Sequence, residues 1–259
     1  MKTFLLDLDG TMYRGTQRIE TARIFLETLQ AHKIPFIFLT NNAMRTREEN
    51  VIHMERMGYS NIRPESFFNS AMAAAKFARK NYTERKAFYI GGQGLQQALE
   101  EEGFIITEDR PDFVFVGLDK NKDYHDYSHA LSFLLDGAKL IGTNDDRLLA
   151  KPEGFEIGNG SIVAMFEYAT GKQSPKIGKP NAPILDLCLE QFGLNKEDVV
   201  LIGDNLETDI SLGYNHGVET VFVETGVHKR EDIEKSEVRP NHIVKDLTEI
   251  DLSQFGWNF

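Results

Sequence analysis

The sequence contains a single cysteine and no apolar run near the roughly 20 residues that a membrane-spanning helix requires. Cys188 therefore cannot form a disulfide within the chain, and its apolar, helix-like surroundings predict a buried, unreactive thiol. The first residues also lack the apolar stretch and the small-residue cleavage site of a secretory signal. We therefore expect a soluble, cytoplasmic protein with no membrane partner.

Positive charge is also scarce. Lys and Arg number 29 against 40 Asp and Glu, which gives a formal net charge of −11 at pH 7. We expect no nucleic-acid partner, because surfaces that bind nucleic acid or anionic lipid are basic. A small anionic substrate remains compatible, since one lysine or metal ion can reverse the field inside a cleft. The length of 259 residues, with 41% hydrophobic, indicates a globular chain of one large or two modest domains.

Short apolar segments alternate with amphipathic ones near both ends of the chain. Strands that are apolar on both faces and separated by helices predict a parallel sheet covered on both sides. The strand-like segments are TFLLDLD, IPFIFLTNN, DVVLIGDN and VETVFVETG, and the helical ones are 22–30, 47–57, 183–192 and 209–215.

The middle of the chain repeats this alternation. Polar stretches with turn-forming residues flank the block, at 80–86 and 170–175. We therefore predict an α/β fold with a doubly wound parallel-sheet core formed by residues 1–79 and 178–259, and a second α/β domain inserted over 80–177. The strand-like segments of the insertion are KAFYIGG, DFVFVGLD and AKLIGTN, and its helical segments are 95–102, 124–135 and 161–170.

Polar residues follow the predicted strands of the core. The carboxyl ends of parallel strands share one edge of a sheet, where ligands bind, so we expect these residues to meet in one crevice. An isolated acid at a strand end is usually a solvated turn former, but Asp7 would be buried without a partner. The set comprises Asp7, Asp9, Thr40, Asn41, Asn42, Asp204 and Asn205 at strand ends, Thr208 and Asp209 in the next turn, and Lys179 before a helix.

This set of side chains indicates a particular chemistry. Several carboxylates that face one another need a cation between them to stay ionised. Their ligand atoms are oxygens, without a Cys and His set of zinc spacing, which favours a hard ion such as Mg²⁺. Mg²⁺, a lysine, a threonine hydroxyl and helix N-termini together suit a phosphoryl group. A carboxylate aimed at phosphorus can attack it and form an aspartyl-phosphate.

Four short segments then occur in a fixed order: DLDGT at 7–11, LTNN at 39–42, GKP at 178–180 and GDNLETD at 203–209. In this order they resemble the four motifs of the haloacid dehalogenase-like (HAD) phosphohydrolases. The insertion between the second and third motifs resembles the large C2-type cap of the NagD-like subfamily, which includes 4-nitrophenyl phosphatases and acid sugar phosphatases. The resemblance spans essentially the whole chain, and it implies a Rossmann-like HAD core with an α/β cap.

The resemblance implies a role for each residue of the first motif. Asp7 would be the nucleophile and a metal ligand. Asp9 would protonate the leaving oxygen and then activate water, while its backbone carbonyl binds the metal. Gly10 would allow the tight turn, and Thr11 would orient Asp9. We expect Asp9→Asn to retain metal binding, because the carbonyl remains, but to block proton transfer.

The second and third motifs would hold the phosphate. By resemblance, Thr40 and the backbone N–H of Asn41 bind phosphate oxygens, and Asn42 belongs to the same group. Lys179 would compensate negative charge on the phosphoryl group and the nucleophile. Alone, Thr40 would be an ordinary strand residue and Lys179 a surface lysine, so their assignment depends on the ordered motifs.

The fourth motif would complete the metal site. By resemblance, Asp204 binds Mg²⁺ directly. Asp209 would anchor either a metal-bound water or the catalytic lysine, and the two alternatives remain open. Asn205 would lie close to the metal-bound water.

Two loops of the inserted domain depart from the family pattern. GTNDD, at 142–146, carries Asp145 where the family often has proline, and IGNGS, at 157–161, carries Ile157 at another usual proline. We expect Asn144 and Asp145 to contact the leaving group, and the extra acid to disfavour highly anionic leaving groups. A comparison of sugar-phosphate with nucleotide turnover in Asp145→Pro tests that expectation.

The expected activity is a Mg²⁺-dependent phosphomonoesterase for small phosphorylated metabolites, sugar phosphates first and nucleoside monophosphates next. A non-enzymatic phosphometabolite sensor and a phosphotransferase remain alternative functions. The oligomeric state is open, with a homodimer as one option. A dinucleotide enzyme is disfavoured because YIGGQG, at 89–94, lacks the G-x-G-x-x-G spacing, and we interpret it as a strand-to-helix turn. His125 and His129 lack a third metal ligand, which favours a polar helix face.

Overall fold

A computed structural model describes residues 1–151 and 154–259. The chain forms two compact units. The predicted insertion over 80–177 lies within the second unit, and its boundaries stay a prediction. The first unit consists of Met1–Thr40, Asn50–Phe68 and Cys188–Phe259, and the second of Asn41–Glu49 and Asn69–Leu187.

Strands and helices alternate along most of the chain. The strands are β1 (Thr3–Leu6), β2 (Tyr13–Arg14), β3 (Gln17–Arg18), β4 (Phe36–Thr40), β5 (Phe67–Asn69), β6 (Lys86–Ile90), β7 (Ile105–Ile106), β8 (Phe113–Val116), β9 (Lys139–Gly142), β10 (Leu148–Lys151), β11 (Gly154–Ile157), β12 (Val199–Gly203), β13 (Glu219–Val223) and β14 (His242–Val244). The α-helices are α1 (Glu20–Ala31), α2 (Arg47–Arg56), α3 (Ser70–Asn81), α4 (Gln93–Glu101), α5 (Tyr124–Leu135), α6 (Asn159–Thr170), α7 (Ala182–Phe192), α8 (Ser211–His216) and α9 (Arg230–Lys235).

The first unit is built on a six-stranded sheet with the order β14-β13-β12-β1-β4-β5. The pairings of β1 with β12 and β4, and of β13 with β12 and β14, are all parallel. In this register Leu5 lies opposite both Leu201 and Ile37. Every residue of β1 and β12 is buried, which explains why both read as continuous apolar runs. The predicted α/β fold with a parallel sheet is confirmed.

The second unit has its own four-stranded sheet, in the order β7-β6-β8-β9, with parallel pairings throughout. Strand β10 pairs antiparallel with β11. A separate hydrophobic core includes Ile90, Val114 and Phe166, whereas the core of the first unit includes Phe4, Phe38 and Ile202. Each unit therefore buries apolar surface of its own.

Cys188 is fully buried in α7, and burial raises the pKa of its thiol, as predicted for an unreactive cysteine. Within the described ranges, no helix has both the length and the hydropathy needed to cross a bilayer.

Candidate active site

Three buried aspartates meet at the carboxyl ends of two neighbouring strands. Asp7 follows β1 directly, Asp204 follows β12, and Asp209 lies in the π-helical turn Leu206–Ile210 after β12. One carboxylate oxygen from each lies within 4.8 Å of the others, and the side chains are 7%, 0% and 1% exposed. Such a group could hold a metal ion, since carboxylates this close repel one another without a cation.

Asp204 is held by neighbours as well as by its strand. Val227 N–H donates to Oδ2 at 2.6 Å, and the Thr11 hydroxyl donates to Oδ1 at 3.3 Å. The Thr11 hydroxyl therefore contacts Asp204, and its expected role in orienting Asp9 stays a prediction. These bonds orient the carboxylate before any cation binds.

The segment after β13 was not predicted as part of the site. Besides the Val227 contact, the Thr225 hydroxyl donates to the Gly10 carbonyl at 2.7 Å. His228 Nδ1 accepts the Leu206 N–H at 3.2 Å. Position in the chain could have identified this segment, because Thr225 lies just beyond the end of β13 and Asp204 directly follows β12.

Gly10 lies against the same carboxylate. Its φ of +93° is in the left-handed region, and a Cβ placed there would lie 2.3 Å from Asp204 Oδ2. Glycine is therefore needed at this position both for the turn and for the approach of Asp204.

We expect Gly10→Ala to remove most of the phosphatase activity that the motifs predict, because the methyl group would displace the Asp204 carboxylate. Gly15→Ala is a matched control: its φ is +61°, but a Cβ there meets nothing within 4 Å. Both variants should lose about 1–2 kcal/mol of unfolding free energy from the left-handed backbone. Thermal melts together with steady-state rates test this, and an equal activity loss in both variants would contradict the steric explanation.

Asp9 differs from the three clustered aspartates. Its side chain is exposed, and its backbone forms an isolated bridge with Tyr13. An exposed carboxyl beside a buried one is suited to exchanging protons with a substrate or with water.

The turn after β12 holds Asn205 and Asp209 through backbone N–H groups. Asp209 Oδ2 accepts the Asn205 N–H at 3.2 Å, and Asn205 Oδ1 accepts the Glu207 N–H at 2.9 Å.

In the second unit, Asn41 and Lys179 are joined through a pair of hydrogen bonds. Lys179 N–H donates to Asn41 Oδ1 at 2.8 Å, and Asn41 Nδ2 donates to the Lys179 carbonyl at 3.0 Å. The same amide nitrogen donates to Asp146 Oδ1 at 3.0 Å, and Asn144 Nδ2 donates to the Asn41 carbonyl at 2.9 Å. Lys179 is only 2% exposed. Asp146 is a member of this cluster that the sequence reasoning missed, although it ends the GTNDD segment.

The remaining predicted residues occupy distinct positions. Thr40 is buried at the end of β4, and Asn42 Oδ1 accepts the Met44 N–H at 3.2 Å in a tight turn. Asp145 accepts hydrogen bonds from Lys176 and Asn181. The structure thus groups Asp7, Asp204 and Asp209 in the first unit, and Asn41, Asn144, Asp146 and Lys179 in the second.

The YIGGQG segment and His129, which were not expected to bind a dinucleotide or a metal, have ordinary structural positions. The YIGGQG segment forms the connection from β6 to α4, with Gly92 as the residue before the helix. His129 on α5 makes an exposed contact of 3.4 Å to Glu108.

The chain is similar to known hydrolases over most of its length. The family model for haloacid dehalogenase-like hydrolases matches residues 4–105, and a HAD-hydrolase-like model matches 176–250. An acid sugar phosphatase from Staphylococcus haemolyticus is 38% identical over 95% of this chain and 94% of its own length.

Solved structures agree with the sequence comparison. NagD from E. coli K-12 superposes with a TM-score of 0.88 at 31% identity, over 97% of this chain and 99% of that one. The 4-nitrophenylphosphatase from Thermotoga maritima gives a TM-score of 0.88 at 33% identity, over 96% and 95%. The similarity therefore extends along both units.

Proposed function

Since the chain belongs to the NagD-like subfamily of the haloacid dehalogenase-like hydrolases and is a phosphoric monoester hydrolase, we propose that it is a Mg²⁺-dependent phosphatase of small phosphorylated metabolites. Sugar phosphates are the first candidate substrates, and nucleoside monophosphates follow. Relatives named as acid sugar phosphatases support this order. Residues 80–177 form the cap domain in this proposal.

The buried carboxylate group of Asp7, Asp204 and Asp209 carries the proposal. Its donors are all oxygens, which suits Mg²⁺ better than zinc or copper. The carboxylates of Asp7 and Asp204 and the backbone carbonyl of Asp9 would bind the ion. Asp209 would be the third carboxylate beside it. A bound Mg²⁺ would neutralise charge on the phosphoryl oxygens.

In the proposed reaction, the Asp7 carboxylate attacks phosphorus while the bond between phosphorus and the leaving oxygen breaks. Asp9 donates its proton to that oxygen. Asp9 then takes a proton from water as the water oxygen attacks phosphorus, which releases inorganic phosphate and restores Asp7. Thr40, the N–H of Asn41 and Lys179 bind phosphoryl oxygens and offset their charge.

We expect the purified protein to release inorganic phosphate from a panel of phosphomonoesters, with sugar phosphates turned over faster than nucleoside monophosphates. 4-Nitrophenyl phosphate should serve as an artificial substrate. The measurement is phosphate release and product analysis with added alcohol acceptors. Transfer of the phosphoryl group to an acceptor would identify a phosphotransferase. Binding of phosphometabolites without turnover would identify a sensor.

A further inference from the structure

Asp145 uses both of its carboxylate oxygens to bind the two ends of one short loop. Oδ1 accepts a hydrogen bond from Lys176 Nζ at 2.8 Å, and Oδ2 accepts one from Asn181 Nδ2 at 3.2 Å. Lys176 and Asn181 flank the Gly-Lys-Pro segment. One carboxylate therefore joins both ends of the loop that carries Lys179.

The negative charge of Asp145 is paired within this loop. Lys176 Nζ also lies 3.6 Å from Glu167 Oε1. Burial lowers the pKa of Lys176, but its hydrogen bond to Asp145 and the nearby carboxylates outweigh that effect and raise the pKa above its usual value. Lys176 therefore stays charged at neutral pH, and bonds between ionised partners are stronger than neutral ones. A paired carboxylate is poorly suited to repelling an anionic leaving group.

The loop that contains Asp145 packs against the first turn of helix α6. Gly160 N–H, in the first turn of α6, donates to the Asp146 carbonyl at 2.8 Å. A Cβ at Gly160 would lie 2.3 Å from the Asp145 carbonyl group, so the two backbones are in close contact. Asp145 thus projects from a well-supported segment.

The centre of the loop has little space to move. A Cβ at Gly178 would lie 2.6 Å from Asn144 Cβ and 2.8 Å from Asn41 Oδ1. Asn41 also bonds both the N–H and the carbonyl of Lys179. The two ends of the loop are bonded to Asp145, and Asn181 Nδ2 also donates to the Gly178 carbonyl at 2.8 Å.

We propose that Asp145 is a positioning residue, which holds the loop bearing Lys179 through Lys176 and Asn181. This rests on the proposed function, in which Lys179 offsets charge on the phosphoryl group. Every substrate carries that same group, so loss of positioning lowers kcat by the same factor for all substrates. A direct contact with the leaving group would instead change the ratios between substrates.

The test compares Asp145→Asn with Glu84→Gln. Glu84 is a matched control in the same unit, because its Oε1 lies 2.7 Å from Lys139 Nζ. For Asp145→Asn we expect kcat to fall about tenfold on sugar phosphates, nucleoside monophosphates and 4-nitrophenyl phosphate alike, with little change in KM. Adding Lys176→Met to Asp145→Asn should lower kcat little further, because both substitutions remove the same interaction between Asp145 and Lys176.

Hydrogen exchange provides a readout that does not depend on catalysis. The backbone amides of residues 176–179 and of Asn181 should exchange about tenfold faster in Asp145→Asn and at the wild-type rate in Glu84→Gln. Unchanged exchange in Asp145→Asn, faster exchange with unchanged kcat, or substrate-dependent losses of kcat would each overturn the positioning role. A wild-type protein inactive on all phosphomonoesters would overturn the proposed function instead, and exchange would still decide whether Asp145 holds the loop.

Discussion

Asp7→Asn should lower phosphatase turnover by about 10⁴-fold or more, because the change removes the attacking group while preserving the shape of the side chain. Asparagine also carries no charge, so the variant should fold at least as well as the wild type. Steady-state phosphate release and a thermal melt measure the two effects. Retention of more than a few per cent of the activity would exclude Asp7 as the nucleophile.

Asp9→Asn supplies the complementary control. In this variant the nucleophile remains, and 4-nitrophenolate leaves without needing a proton. We therefore expect a burst of about one 4-nitrophenolate per enzyme molecule, followed by a very slow steady state, because water is no longer activated. Mass spectrometry should locate one phosphoryl group on the peptide containing Asp7. A burst with phosphate attached elsewhere would contradict the proposed intermediate.

Removal of divalent cations with EDTA should abolish activity, and added Mg²⁺ should restore it. Three buried carboxylates within 4.8 Å of one another repel strongly when no cation lies between them. Binding only to the folded state would stabilise the protein by about 2.7 kcal/mol at a hundredfold excess of Mg²⁺ over its Kd. The expected observation is a rise of several degrees in the melting temperature.

The matched variants for this experiment are Asp204→Asn and Glu207→Gln. Asp204→Asn should lose both the activity and the Mg²⁺-dependent rise in melting temperature. In EDTA its melting temperature should be no lower than that of the wild type, because one repelling charge is gone. Glu207 is exposed in the same turn, and its neutral variant should keep both properties. Activity that survives chelation in the wild type would contradict a metal-dependent reaction.

Several features of the fold were readable from local sequence. The apolar runs that became β1, β4 and β12 are buried on both faces, and such runs predict central strands of a parallel sheet wherever they occur. The short strand β5 and the edge strand β14 were not predicted, because three residues carry too little periodicity to stand out from a loop.

Local sequence was enough to order the motifs and to place acids at the ends of buried strands, because strand periodicity and turn chemistry are local properties of the chain. Folding alone selects the partners of these residues. It brought the Asp209 carboxylate to Asp7 and Asp204, turned the Thr11 hydroxyl to Asp204, and paired Asp145 with Lys176 and Asn181. Such pairings depend on strand register and on the paths of loops distant in sequence, which no local pattern records.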